Sequence, residues 1–192
     1  MRALVRLLDR LVSRCNRVRE FTADPDCVLR ISPGRVIHAL SLPEGKIAPG
    51  TQALLIHYWN ERMPPLPAGG ANLRYALDLS RRQARSLRLV AGYLQSADEF
   101  REARLVGGIT VLAPAEEADG GTAMLRRYGF TVIPYHSPLG KFGEFWENLF
   151  TWALMWTYNP ASLQDRRLGR LRRSEFWMTR RAFLEKYADK HA

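Results

Sequence analysis

Cysteine is nearly missing from this chain. Cys15 and Cys27 are the only two, without C-x-x-C spacing and without a histidine beside either. That excludes a disulfide scaffold and a zinc module and reads as reduced, intracellular thiols. Lysine is scarce as well, confined to Lys46, Lys141, Lys186 and Lys190, so arginine carries the positive charge, a bias that a GC-rich coding sequence produces readily. No long hydrophobic run exists. The longest, Leu149-Phe-Thr-Trp-Ala-Leu-Met-Trp156, is far below the roughly 20 apolar residues of a membrane-spanning helix. The first twenty residues carry no signal-peptide core, because Arg6 and Arg10 interrupt the apolar stretch; a cytoplasmic location is expected. There is no H-x-x-x-H and no paired-Asp metal motif, and His38 and His136 have no partner at ligand spacing. Neither metal nor cofactor is expected.

What is present is positive charge and enough apolar residues for a core. The 192 residues are 46% hydrophobic, near the size of one ordinary domain. Lys+Arg number 29 against 19 Asp+Glu, a formal net charge of +10. Such an excess points to a polyanion or an anionic membrane surface as partner, and says nothing of the fold.

The pattern along the chain predicts an α/β fold, with α+β as the alternative: a small mixed sheet flanked by amphipathic helices in one compact domain. Residues 1–24 form an N-terminal helix and linker, with Leu4, Leu7, Leu8, Leu11, Cys15 and Val18 on one face, expected to pack on the sheet, with a lipid surface as the alternative. Arg2, Arg6, Arg10, Arg14 and Arg17 take the other face. Residues 25–192 form the α/β domain, closing with basic helices. Within it, 27–58 reads as two or three antiparallel strands, and Asn72 caps a long helix to about Gln95, with Leu73, Leu77, Ala84, Leu87, Ala91 and Leu94 as its seam. Ser96-Ala-Asp-Glu99 reads as a capping box opening a short helix to about Arg104. Residues 108–112 and 130–133 read as parallel strands around a helix closed by Gly129. Residues 141–158 form an aromatic helix, Pro160 starts a basic helix to about Arg173, and Thr179 caps a last helix after the short strand 176–179.

The order of short motifs, Gly45-x-Ile47-x-x-Gly50, His57-x-Trp59-Asn60-Glu61-Arg62, Pro64-Pro65-Leu66-Pro67, Gly107-Gly108, Tyr128-Gly129-Phe130, Glu147-Asn148, Tyr158-Asn159-Pro160 and Phe176-Trp177-Met178-Thr179, resembles the YkoP-like domain family over about residues 27–187. Domains of that family occur alone or attached to polysaccharide-deacetylase-like domains. The resemblance implies a place near cell-envelope polysaccharide or glycolipid metabolism, with a polysaccharide deacetylase or glycosyltransferase as a protein partner. It carries no catalytic residues.

Three surfaces stand out. The segment His57-Tyr-Trp-Asn-Glu-Arg62 leaves an apolar strand for a Pro-rich loop, where His57, Trp59, Asn60 and Arg62 are candidate contacts to an anionic head group or sugar phosphate; His57 and Glu61 are the acid–base pair if the protein is an enzyme. Arg81 and Arg85 belong to an arginine stripe on the long helix that reads phosphate or pairs with neighbours such as Asp78. Phe142, Phe145, Trp146, Trp152 and Trp156, followed by Arg166, Arg167 and Arg170, form either core or a membrane contact with aromatics at headgroup depth. The favoured expectation is a binding domain peripheral to the inner membrane face, with an anionic lipid or glycolipid as partner. Nonspecific nucleic-acid binding is the lesser alternative, since no recognition motif for it appears.

Overall fold

The computed structural model describes residues 2–67, 69–111, 120–163 and 171–188. Five strands form one mixed sheet in the spatial order β1 (Leu29–Arg35), β4 (Gln52–Tyr58), β5 (Leu105–Thr110), β7 (Ser174–Thr179), β6 (Thr131–Pro134). Two short strands, β2 (Leu40–Leu42) and β3 (Gly45–Ile47), pair as a separate antiparallel hairpin. Pro33 lies within edge strand β1 and Pro134 ends edge strand β6, where a missing N–H interrupts no interior ladder.

Strand alternation gives the sheet two faces. On one, Ile31, Leu54, Ile56, Val106, Val132, Phe176 and Met178 meet α2 (Leu73–Ser96) through Leu87, Val90, Ala91 and Leu94, α3 (Gly120–Arg127) through Leu125, and α5 (Arg180–Tyr187) through Phe183 and Tyr187. On the other, Ala53, Leu105 and Trp177 are covered by Val36, Leu40 and Leu42 of the β1–β2 segment. The rest of that second face mixes Leu55, Ile133 and the exposed Ile109 with the polar Arg30, Ser32, His57 and Glu175, and two more helices, α1 (Arg2–Cys15) and α4 (Gly140–Tyr158), pack on each other beside it.

Several local expectations are met at the atom level. The Asn72 side chain accepts the Tyr75 N–H at 2.9 Å, and the Thr179 hydroxyl accepts the Ala182 N–H at 3.3 Å, so both predicted caps satisfy an otherwise unpaired helical donor. Gly129 ends α3 at φ +90°, a left-handed conformation that favours glycine. The antiparallel pairing of 27–58 is the β1–β4 ladder, from Leu29 opposite Tyr58 to Arg35 opposite Gln52.

Four expectations are corrected. The hydrogen-bonded parallel pair is β4–β5, joined through α2; β5 and β6 run the same way but β7 lies between them, antiparallel to both. The reason is that Phe176-Trp-Met178 is apolar on consecutive residues, the mark of a strand covered on both faces, and such a strand belongs inside a sheet. The long helix buries Gln83, Ser86, Leu87, Val90, Ala91 and Leu94, while Leu73 and Leu77 are exposed because its first turns run past the sheet. The capping box does not form: the Ser96 hydroxyl donates back to the Gly92 and Tyr93 carbonyls, and Asp98–Phe100 is a single 3-10 turn. Finally, α1 does not pack its leucines on the sheet. Its one buried residue is Asp9, and Leu4, Leu7, Leu8, Leu11 and Val12 are exposed.

Candidate functional site

The carboxyl ends of the parallel strands β4 and β5 lie at the same end of the sheet as the starts of β1 and β7, and chain segments from across the sheet meet there. His57 is the last residue of β4 on the second face, opposite Arg30 of β1. Its Nε2 is 2.8 Å from the Ser32 hydroxyl, a buried group. Burial, reinforced by the Arg30 guanidinium, pushes the imidazole down to about 4, so at neutral pH His57 is an uncharged hydrogen-bonding group. Arg30 in turn faces the buried Asp9 of α1 at 3.9 Å. Burial holds the Asp9 carboxyl above the usual range, against the pull of Arg30.

The residues after β4 are bound to their own neighbourhood. Trp59 is buried, and its indole N–H donates to Glu61 at 2.9 Å. Arg62 stacks on the Trp59 ring at 3.5 Å and donates to the Asp24 carbonyl at 2.6 Å. The Tyr158 hydroxyl lies 3.5 Å from both Glu61 and Asp9, and burial together with those two carboxylates pushes it up to about 12. Asn60 sits in the 3-10 turn between them. Glu61 and Arg62 therefore tie β4 to the 24–26 turn and to α4. The arginine stripe follows the same logic: Arg85 pairs with Asp24 at 2.7 Å, and Arg82 pairs with Asp26 and Asp78, each at 3.1 Å. Arg81 is exposed on the same helix.

A second polar group stands in the same row of the sheet, two strands from His57. Glu175 is 2% exposed; its Oε2 accepts the Trp177 indole N–H at 2.6 Å and lies 3.7 Å from His38, while Oε1 has no hydrogen-bond partner among the described residues. Among the described residues no three His, Cys, Asp or Glu side chains are grouped to hold a metal ion, and no helix is long and apolar enough to cross a membrane.

The aromatic helix divides in two. In its first turns Phe142, Phe145 and Trp146 are exposed, with Phe142 at 68%, and their rings contact each other edge-on. Trp152 and Trp156 are half-buried, and the Arg2 guanidinium stands over the Trp156 ring at 5.2 Å, as Arg6 does over Tyr158 at 5.8 Å. Arg166, Arg167 and Arg170 lie outside the described residues. The leucines of α1 are also outside the core and share one helix face: Leu4 is 57% and Leu7 54% exposed.

Sequence reasoning singled out His57 but missed the residues around it. Asp9 had a signal, being the one acidic residue among the first nineteen, placed opposite the leucines. Ser32 and Arg30 had none, because their position beside His57 follows from the β1–β4 register. The chain matches no family model, no curated protein and no solved structure.

Proposed function

We propose that the protein is an accessory domain of an anionic membrane surface, attached through the outer face of α1. The observation that carries this is the outward leucine stripe, Leu4, Leu7, Leu8 and Leu11, on a helix whose opposite face holds the buried Asp9. A helix that turns its polar side toward the protein keeps its apolar side for another apolar phase. On a 100° wheel Arg10 and Arg14 border the stripe, at the depth where guanidinium groups meet lipid phosphates. The exposed Phe142, Phe145 and Trp146 add aromatic side chains suited to the interface. A second copy of the chain is a poorer occupant, because +10 on each partner opposes close approach. Nucleic acid answers the charge and leaves the leucines without a use. The expected location is the inner face of the cytoplasmic membrane; envelope polysaccharide or glycolipid metabolism as context, with a deacetylase or glycosyltransferase alongside, follows the motif resemblance.

The test is flotation with phosphatidylcholine vesicles with and without phosphatidylglycerol, over a salt series. Wild-type protein floats with the anionic vesicles and less so as salt rises. Leu7→Ser with Leu11→Ser weakens binding about tenfold through lost apolar transfer, with an unchanged melting temperature since both side chains are already exposed in the free protein. Equal flotation of wild type and this variant would refute the attachment.

A further inference from the structure

The C-terminus of α1 closes with the hydrogen-bond pattern of a Schellman motif: Val18 N–H to Ser13 C=O at 2.8 Å and Arg17 N–H to Arg14 C=O at 3.0 Å. The residue at the left-handed position of that motif is commonly glycine, because other side chains crowd their own backbone there. Here it is Arg17, at φ +54°, and among the described residues no other non-glycine has positive φ. An arginine held in this backbone conformation calls for a reason. It lines a cleft of about 450 Å³ together with Arg14, Val18, Arg19, Pro33 and Glu99.

The charges in the cleft are unequal in their commitments. Arg19 is ion-paired with Glu99, whose other oxygen accepts the Tyr93 hydroxyl at 2.8 Å, so that carboxylate is neutralised within the wall. Arg14 and Arg17 are exposed, and among the described residues no carboxylate pairs with either. Two unpaired arginines therefore line the same open space, and a guanidinium offers forked donors that match a phosphate's oxygens. Their place is also specific, since Arg14 sits at the C-terminal end of the exposed leucine stripe.

We infer that the Arg14–Arg17–Arg19 cleft binds a phosphate ester, with Arg14 and Arg17 gripping the phosphate and the Arg19–Glu99 pair forming the wall. The phosphate chemistry stands on the cleft alone; a lipid headgroup as its source rests on the membrane reading above, with the acyl chains lying along the leucines. Free sn-glycerol 3-phosphate presents the same group without a membrane.

Two probes on the full chain test this: sn-glycerol 3-phosphate by NMR titration, and phosphatidylcholine vesicles with and without phosphatidic acid by flotation. The cleft variant is Arg14→Gln with Arg17→Gly, the glycine being compatible with the left-handed backbone, and the control is Arg74→Gln with Arg88→Gln, two exposed residues of α2, which removes the same charge outside both the cleft and α1. Saturable binding of either probe that falls at least tenfold in the cleft variant and far less in the control supports the inference. Response of the soluble probe alone assigns a free phosphate ester, and response of phosphatidic acid vesicles alone assigns the lipid. No saturable binding of either, or equal losses in both variants, overturns it. The membrane reading fails separately: Leu7→Ser with Leu11→Ser then changes nothing on vesicles, while the titration with glycerol phosphate still reports on the cleft.

Discussion

Gly107→Ala is expected to lower the free energy of unfolding by about 3 kcal/mol, the upper part of the range for overpacked cores. A Cβ at this position lies 2.2 Å from the Phe176 carbonyl oxygen and 2.3 Å from the Trp177 ring, and neither can yield alone. The oxygen belongs to the neighbouring strand, paired to β5 with Gly107 opposite Trp177. The ring is fixed by its N–H on the buried Glu175, so displacing the indole also strips a carboxylate that already has one unpaired oxygen. Gly92→Ala is the matched comparison. It lies inside α2 with no atom within 4 Å of the new methyl group, and should stabilise by about 0.5–1 kcal/mol through helix propensity and reduced unfolded-state freedom. Urea unfolding followed by tryptophan fluorescence separates the two; a Gly107→Ala midpoint near wild type would mean that the indole does not lie across β5.

His57 supplies the second large effect. Its ordinary value of 6.5 is pushed down to about 4 in the folded protein, so between those values the unfolded chain binds a proton that the folded chain refuses. Stability from this residue is whole above about pH 6.5 and is lost as pH falls to about 4, by as much as about 3 kcal/mol. Asp9 acts with the opposite sign: burial raises its carboxyl, so taking up a proton as pH falls through that raised value favours the folded form. His57→Gln keeps a hydrogen-bonding group for Ser32 and cannot titrate. The difference between wild-type and His57→Gln unfolding free energies, measured from pH 7.5 to pH 4, isolates the imidazole; a pH-independent difference would show that His57 is open to water.

Element identity was legible where local chemistry decides it. Asn72 and Thr179 cap their helices through their own side chains, and Gly129 stops α3 through its own backbone, so each needed only a few residues of context. Pairing was not local. Nothing near Phe176 announces that its strand separates β5 from β6, and the choice of neighbour is made by covering an apolar run on both sides. The same distinction holds in the site. His57 is visible as a histidine at a strand end, whereas its neutral state depends on burial in the folded sheet and on Arg30, which register brings, together with its partner Ser32, from a strand about 25 residues earlier. The α1 wheel showed two faces, but which one meets the protein was settled by Asp9 and by the tyrosine and tryptophan of α4 that receive Arg6 and Arg2.

The insertion of Ser174–Thr179 between β5 and β6 also has a temporal side. A growing chain makes β1, β4 and β5 early, and these can pair as soon as β5 is complete, but β6 then waits without a hydrogen-bonding neighbour until β7 is made. During that interval β5 presents an open edge, the kind of surface that recruits strands from other molecules. Closing the sheet joins residues far apart in the sequence, Leu105 to Thr179 among them, and the loop-closure entropy of that step precedes its reward. A chain interrupted before Ser174 therefore does not yield a slightly smaller version of the domain; it leaves a three-stranded sheet with an open edge and an unpaired β6, and ribosomal stalling or proteolysis in that stretch would produce aggregation rather than partial function.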